Sequence, residues 1–235
     1  MHTLTRNFAV IIFLAIISTS CSTVTGLFKE AEAVEATSTH IVATGASELL
    51  TEATEQALAD AVKEAAEDPT IKLIFMSYGD SITANEIHYE DQITVGGNNE
   101  TIAETLLEEK VDTLPGELMA KIKPTNNQLN ILDGLMSLDN IVANETVEDI
   151  RVTFVSDLSK SYFHSLDDNF LRLPENVIAH LHNQNRNPSS LKTIDEITFL
   201  TVPEFSSTVH ANNVTFWGES FCPAFDMNCN FVNAI

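Results

Sequence analysis

The chain has 235 residues, with 34 aspartates and glutamates against 12 lysines and arginines, a formal charge of −22. That balance excludes nucleic acid as a partner, because phosphate backbones select clusters of Lys and Arg, and it gives no electrostatic hold on an anionic membrane surface. The length allows one domain with a sizeable core, and the acidity keeps a large surface soluble.

Residues 1–20 read as a signal peptide, with Arg6 as a small basic region and the apolar run 8–17 behind it. That run is about half the ~20 residues a membrane-spanning helix needs, so it is a processing segment outside the fold. The small residues Ser18-Thr19-Ser20 leading into Cys21 resemble a bacterial lipoprotein cleavage box, with Ser18 where that family usually has Leu. The resemblance implies a lipid on Cys21 that anchors the protein to a membrane. In Gram-negative members a residue such as Ser22 at the next position goes with outer-membrane sorting. Residues 21–45, rich in Ala, Glu and Thr, read as the tether between lipid and domain.

Residues 46–69 form the next element. Leu50, Ala53, Ala57, Ala61 and Ala65 recur at helical spacing beside Leu58 and Val62, with Ser47 as a cap and Asp68-Pro69 as a stop. From residue 70 to 235 apolar strands alternate with amphipathic helices. Strands are expected at 72–76, 150–155 and 196–202, and helices at 99–109, 129–142, 175–185 and 213–221. The Pro115-Gly116 pair is expected to break the chain before a further helical stretch to Ile122. Part of the poorly patterned stretch 81–98 reads as a hairpin edge. This alternation predicts an α/β fold, a doubly wound and mostly parallel sheet with helices on both faces. Ligand-bearing loops in such sheets follow the carboxyl ends of strands, which here points to 77–83, 156–159 and 203–206.

Gly79-Asp80-Ser81, directly after the apolar run 71–76, resembles the nucleophile block of GDSL-type serine hydrolases, which implies Ser81 as the nucleophile. In that family the base is a histidine three residues after an aspartate. The residues three before His88, His164, His180, His182 and His210 are Asn85, Ser161, Val177, Ala179 and Ser207. Gly96-Gly97-Asn98-Asn99 is similar to the family's oxyanion block but lies too close to Ser81. A serine with no base is not activated, so a hydrolase is the alternative and not the expectation.

Residues 70–225 as a whole resemble a von Willebrand factor A-type domain. Ser77, Gly79 and Ser81 fall where that family has Asp-x-Ser-x-Ser. Leu129-Asn130-Ile131-Leu132-Asp133-Gly134-Leu135 falls where it has Thr-Asp-Ile-x-x-Ala-Leu. Val152-Thr153-Phe154-Val155-Ser156-Asp157 matches its strand ending in Ser-Asp, and Phe216-Trp217 its last helix. The resemblance implies a Rossmann-like fold and a degenerate cation loop for an ion such as magnesium. Ser81 and Asp157 remain as ligands and Asp80 is an off-register carboxylate, while the threonine ligand corresponds to Leu129. The loops carrying Ser77, Ser159 and Glu204 would face a protein partner. With Cys21 lipidated, Cys222 and Cys229 are an even remainder that can pair in an oxidising compartment. The expectation is an exported, lipid-anchored envelope protein facing the periplasm. Its domain binds another envelope protein without catalysis, and its metal dependence is weak or lost.

Overall fold

The computed structural model describes residues 34–96, 100–125, 129–202 and 207–234. The signal segment, Cys21, the first part of the tether and Glu204 lie outside them. The chain divides into two compact units. Of the first, the described residues are 94–96 and 100–110, where Lys110 Nζ donates to the Thr94 carbonyl at 3.2 Å. The second, Val34–Ile93 with Val111–Ile235, contains the sheet.

Six strands make that sheet: β1 (Ser38–Gly45), β2 (Ile71–Tyr78), β3 (Glu86–Gln92), β4 (Asp149–Ser156), β5 (Glu196–Thr201) and β6 (Cys229–Asn233), in the order β3-β2-β1-β4-β5-β6. All neighbours are parallel except β2 and β3. The helices are α1 (Thr51–Glu67), α2 (Glu100–Met119), α3 (Ile131–Val142), α4 (Pro174–Asn183) and α5 (Ser207–Phe216), the last continuing into a π-helical turn at Trp217–Phe221. This is the expected doubly wound α/β fold, with its strand order reversing direction between β1 and β4. The hairpin edge expected within 81–98 is β3.

Three expectations change. Residues 38–45 belong to no tether: they form the strand between β2 and β4, buried at every position but His40. A strand covered on both faces needs no polar–apolar alternation, and Ala43, Thr44 and Gly45 are small because neighbours press on them. The sheet unit therefore begins well before residue 70 and includes α1. Second, α2 runs through Pro115 without a break. Burial of Leu114, Pro115 and Leu118, worth about 1.5–3 kcal/mol for a large apolar side chain, offsets the ~3 kcal/mol cost of an internal proline. Third, the C-terminal segment adds the edge strand β6 that the sequence pattern did not show.

Helices cover opposite faces. α1 lies on the face of His40 and Thr44, where Thr44 Oγ1 and Thr54 Oγ1 are 2.6 Å apart and Thr54 also donates to the Leu50 carbonyl at 2.7 Å. α3 lies on the Tyr78 face and buries Ile131, Leu132, Leu135, Leu138 and Val142, while Ile141 is only half-buried. On that same face Trp217, Phe221, Phe163 and Phe216 form an aromatic cluster, and the Trp217 indole donates to the Leu158 carbonyl at 3.1 Å. Cys222 and Cys229 are bonded, joining the end of the π-helical turn to the start of β6.

Candidate functional site

The carboxyl ends of β1, β2 and β4 lie side by side, with Gly45 opposite Tyr78 and Thr44 opposite Val155. The crevice between β1 and β4 is the position where open α/β sheets bind ligands. Here the chain's own side chains fill it. A Cβ on Gly45 would collide with Leu129 Cδ1 and stand 2.8 Å from Leu50 Cδ1 and 3.3 Å from Tyr78 Cζ. Leu50, Tyr78 and Leu129 are all buried. The Tyr78 hydroxyl donates to the Val155 carbonyl at 3.1 Å. Burial first, and the nearby Asp157 carboxylate second, push its ionisation far above the ordinary range.

The residues singled out from sequence take separate places around this plug. Ser77 is in β2, buried, with its hydroxyl 2.7 Å from His88 Nε2. Asp80 is exposed, and Ser81 is half-exposed beside Thr83 at 3.1 Å. Asp157 is buried and its Oδ1 accepts from the backbone N–H of Ser159, also buried, at 2.8 Å. Ser156 Oγ accepts from Leu158 N–H at 2.9 Å, so two side-chain turns hold Leu158 at φ 57°, a conformation that a branched side chain rarely adopts. Ser77 and Ser159 thus support the loops from beneath and do not face a partner.

These residues do not fit a magnesium shell. Ser81 follows β2 and Asp157 follows β4, with β1 between them. At about 4.8 Å per strand step those strand ends are roughly 10 Å apart, whereas magnesium draws its oxygens to about 2.1 Å. Leu129, at the position the resemblance gives to a ligand, supplies no oxygen. The loop compared with a first-strand cation motif in fact follows the second strand. The turn after β1 reads Gly45-Ala46-Ser47, and Ser47 Oγ caps the next turn by accepting from Leu49 N–H at 3.3 Å. Among the described residues no three His, Cys, Asp or Glu side chains gather as a cation set.

Among the described residues, two hydroxyls stand within hydrogen-bonding distance of the buried or half-buried rings of His88 and His40, and neither belongs to Ser81. One pair is Ser77–His88. In the other, His40 Nδ1 lies 2.9 Å from Glu64 Oε2 and Nε2 lies 3.2 Å from Thr153 Oγ1. Glu64 can only accept, so His40 donates from Nδ1 and accepts from Thr153 at Nε2. Burial lowers the pKa of both histidines. Ser77 and Thr153 sit inside paired strands, where backbone N–H groups are committed to the ladders and none is left to form an oxyanion hole.

The sequence reading missed the residues that stitch the loops together. Asn85 Nδ2 donates to the Asp133 carbonyl at 3.0 Å and to Ser137 Oγ at 2.6 Å, while its Oδ1 accepts from Gly79 N–H at 3.2 Å. Asn130 caps α3 and donates to Asp133 Oδ2 at 2.8 Å. The buried Asp133 carboxylate is paired with Arg186, whose guanidinium lies 4.9 Å from the Tyr162 ring centre. Asn130-x-x-Asp133 carried a legible signal, that of a helix capping pattern.

No protein family and no curated protein matches the chain. Solved structures do. The PilB minor pilin from Streptococcus sanguinis is similar at 11% identity and TM-score 0.48, covering 87% of this chain and 59% of that one. The SpRpn10 VWA domain is similar at 12% identity and TM-score 0.41, over 84% of this chain and 87% of that one. A von Willebrand factor type A protein from Catenulispora acidiphila is similar at 8% identity and TM-score 0.41, over 85% and 39%. The chain thus spans 59% of the minor pilin's length. The fold assignment rests on the strand order itself.

Proposed function

We propose that the protein is an exported envelope protein, anchored by a lipid on Cys21 and facing the periplasm. Its α/β domain, of von Willebrand factor A type, binds another envelope protein without catalysis and with little or no use of metal. One observation carries this reading: the crevice at the strand ends is plugged by Leu50, Tyr78 and Leu129, while the loops around it expose apolar side chains to solvent. Leu49, after β1, is 42% exposed and Ile82, after β2, is 50% exposed. A filled crevice admits no substrate, and apolar residues beside the exposed Asp80 and Ser81 suit the surface of another protein.

The test is affinity capture from envelope extracts with the full chain, compared with a Leu49→Asp/Ile82→Asp variant of unchanged melting temperature. Loss of the captured protein in the variant is expected, and unchanged capture would overturn the loop-face contact. On the same samples, excess magnesium is expected to leave the melting temperature in place. A rise of several degrees that disappears in Asp157→Ala would restore a cation site.

A further inference from the structure

The sheet is covered unequally. At its β5–β6 end the Phe199 face is closed: Phe199 and Phe231 stack at 5.0 Å, and a Cβ on Gly218 of the π-helical turn would stand 3.2 Å from Phe231. On the opposite face, α1 covers β1 and its immediate neighbours only. Beyond it Thr153, Thr198 and Leu200 are half-exposed and Val232 is 42% exposed. They floor a groove of about 870 Å³ whose wall is the flank of α1.

That wall has a definite chemistry. Ala53 and Ala57, one turn apart, present no bulk, so a second helix could approach α1 to the roughly 8–10 Å of close helix pairs. Above them stand Glu52, Glu55, Asp60 and Glu64. Glu64 is engaged by Arg151 and His40, and Asp60 accepts from Gln56 at 3.0 Å. No ion pair engages Glu52 or Glu55 among the described residues. Among the described residues no lysine or arginine lines the groove. A second copy of this chain would bring its own excess of acid to the rim, against a formal charge of −22.

From the juxtaposition of a bare β4–β6 face with the alanine-lined, acid-rimmed flank of α1, we propose that this groove docks an amphipathic helix of a partner protein, apolar toward the sheet and bearing Lys or Arg toward α1. The surface is separate from the loops at the strand ends, and its test does not depend on them. The probe is a fluorescent helical peptide of roughly 15 residues, long enough to hold helix in isolation, with a Leu/Ala face and a Lys flank. Its twin carries Glu in place of Lys.

Anisotropy with the full chain is expected to show saturable binding of the Lys peptide, weakened by salt, and none of the Glu twin. Ala57→Phe, which fills the slot, and Glu52→Lys/Glu55→Lys, which reverses the rim, are each expected to weaken binding about tenfold or more. Val232→Lys, at an exposed position, carries the same expectation where Ala57→Phe fails to fold. Ile82→Asp on the loop face is expected to leave binding unchanged. Absence of Lys-peptide binding, equal binding of the twin, or indifference to both Ala57→Phe and Val232→Lys would overturn the proposal. So would a dimer in sedimentation that Val232→Lys dissociates, since the groove would then belong to a second copy.

Discussion

His40 sits where the sheet meets α1, and its ring is held between Glu64 and Thr153. Burial lowers its pKa below the ordinary 6.5, although Glu64 pulls the other way. Below pH 6.5 the unfolded chain therefore takes up a proton that the folded chain refuses. This contribution to stability is complete above 6.5 and is lost as pH falls from there toward the folded value. Urea unfolding at pH about 7.5 and about 5.5 is expected to show a smaller drop in stability for His40→Gln than for the wild type. His88, also lowered by burial, supplies part of the slope that remains. An equal drop in both proteins would remove His40 from the account. Sequence alone did not reveal this residue: a histidine among Thr and Ile looks like tether until its strand is recognised.

The same strand explains most of what was and was not legible among the elements. β2 stood out by its apolar run and β4 and β5 by apolar residues alternating with polar ones, and α1 and α3 because their apolar residues recur with helical period. β1 lacked these signals. At eight residues it is as long as β2 and β4, but it is rich in small residues and specified by what packs on it from either side. Missing it moved the candidate cation loop one strand along, so that Ser77–Ser81 was compared with a motif belonging after the first strand. That displacement is why Ser81 and Asp157 follow strands that a third strand separates. The cysteine pair was legible because parity and compartment suffice to suggest it. It fastens β6, a short edge strand, to the turn carrying Trp217. Replacing both cysteines by serine is expected to lower unfolding free energy by about 2 kcal/mol, measured by urea titration. Reductant should lower the wild type equally and leave the variant unchanged.

Across the whole chain, 34 acids against 12 bases leave few cations to neutralise them. Lys72 is shared between Glu90 and Glu145, each at 2.9 Å, and Arg151 serves Glu64 with Asp149 at 4.0 Å. Self-repulsion of this kind destabilises a compact state, and salt screens it over about 8–10 Å. The melting temperature is therefore expected to rise with sodium chloride concentration, read by differential scanning fluorimetry. A fall would mean that the ion pairs outweigh the repulsion.

The position of β1 has a mechanical consequence. It enters the fold at Ser38 and is hydrogen-bonded along its length to β2 on one side and β4 on the other. Traction applied through the N-terminal end of the chain thus arrives at the middle of the sheet. Load along the strand axis must shear two ladders at once, whereas an outer strand such as β6 could be peeled one bond at a time. A pull from upstream meets the part of the molecule best built to bear it.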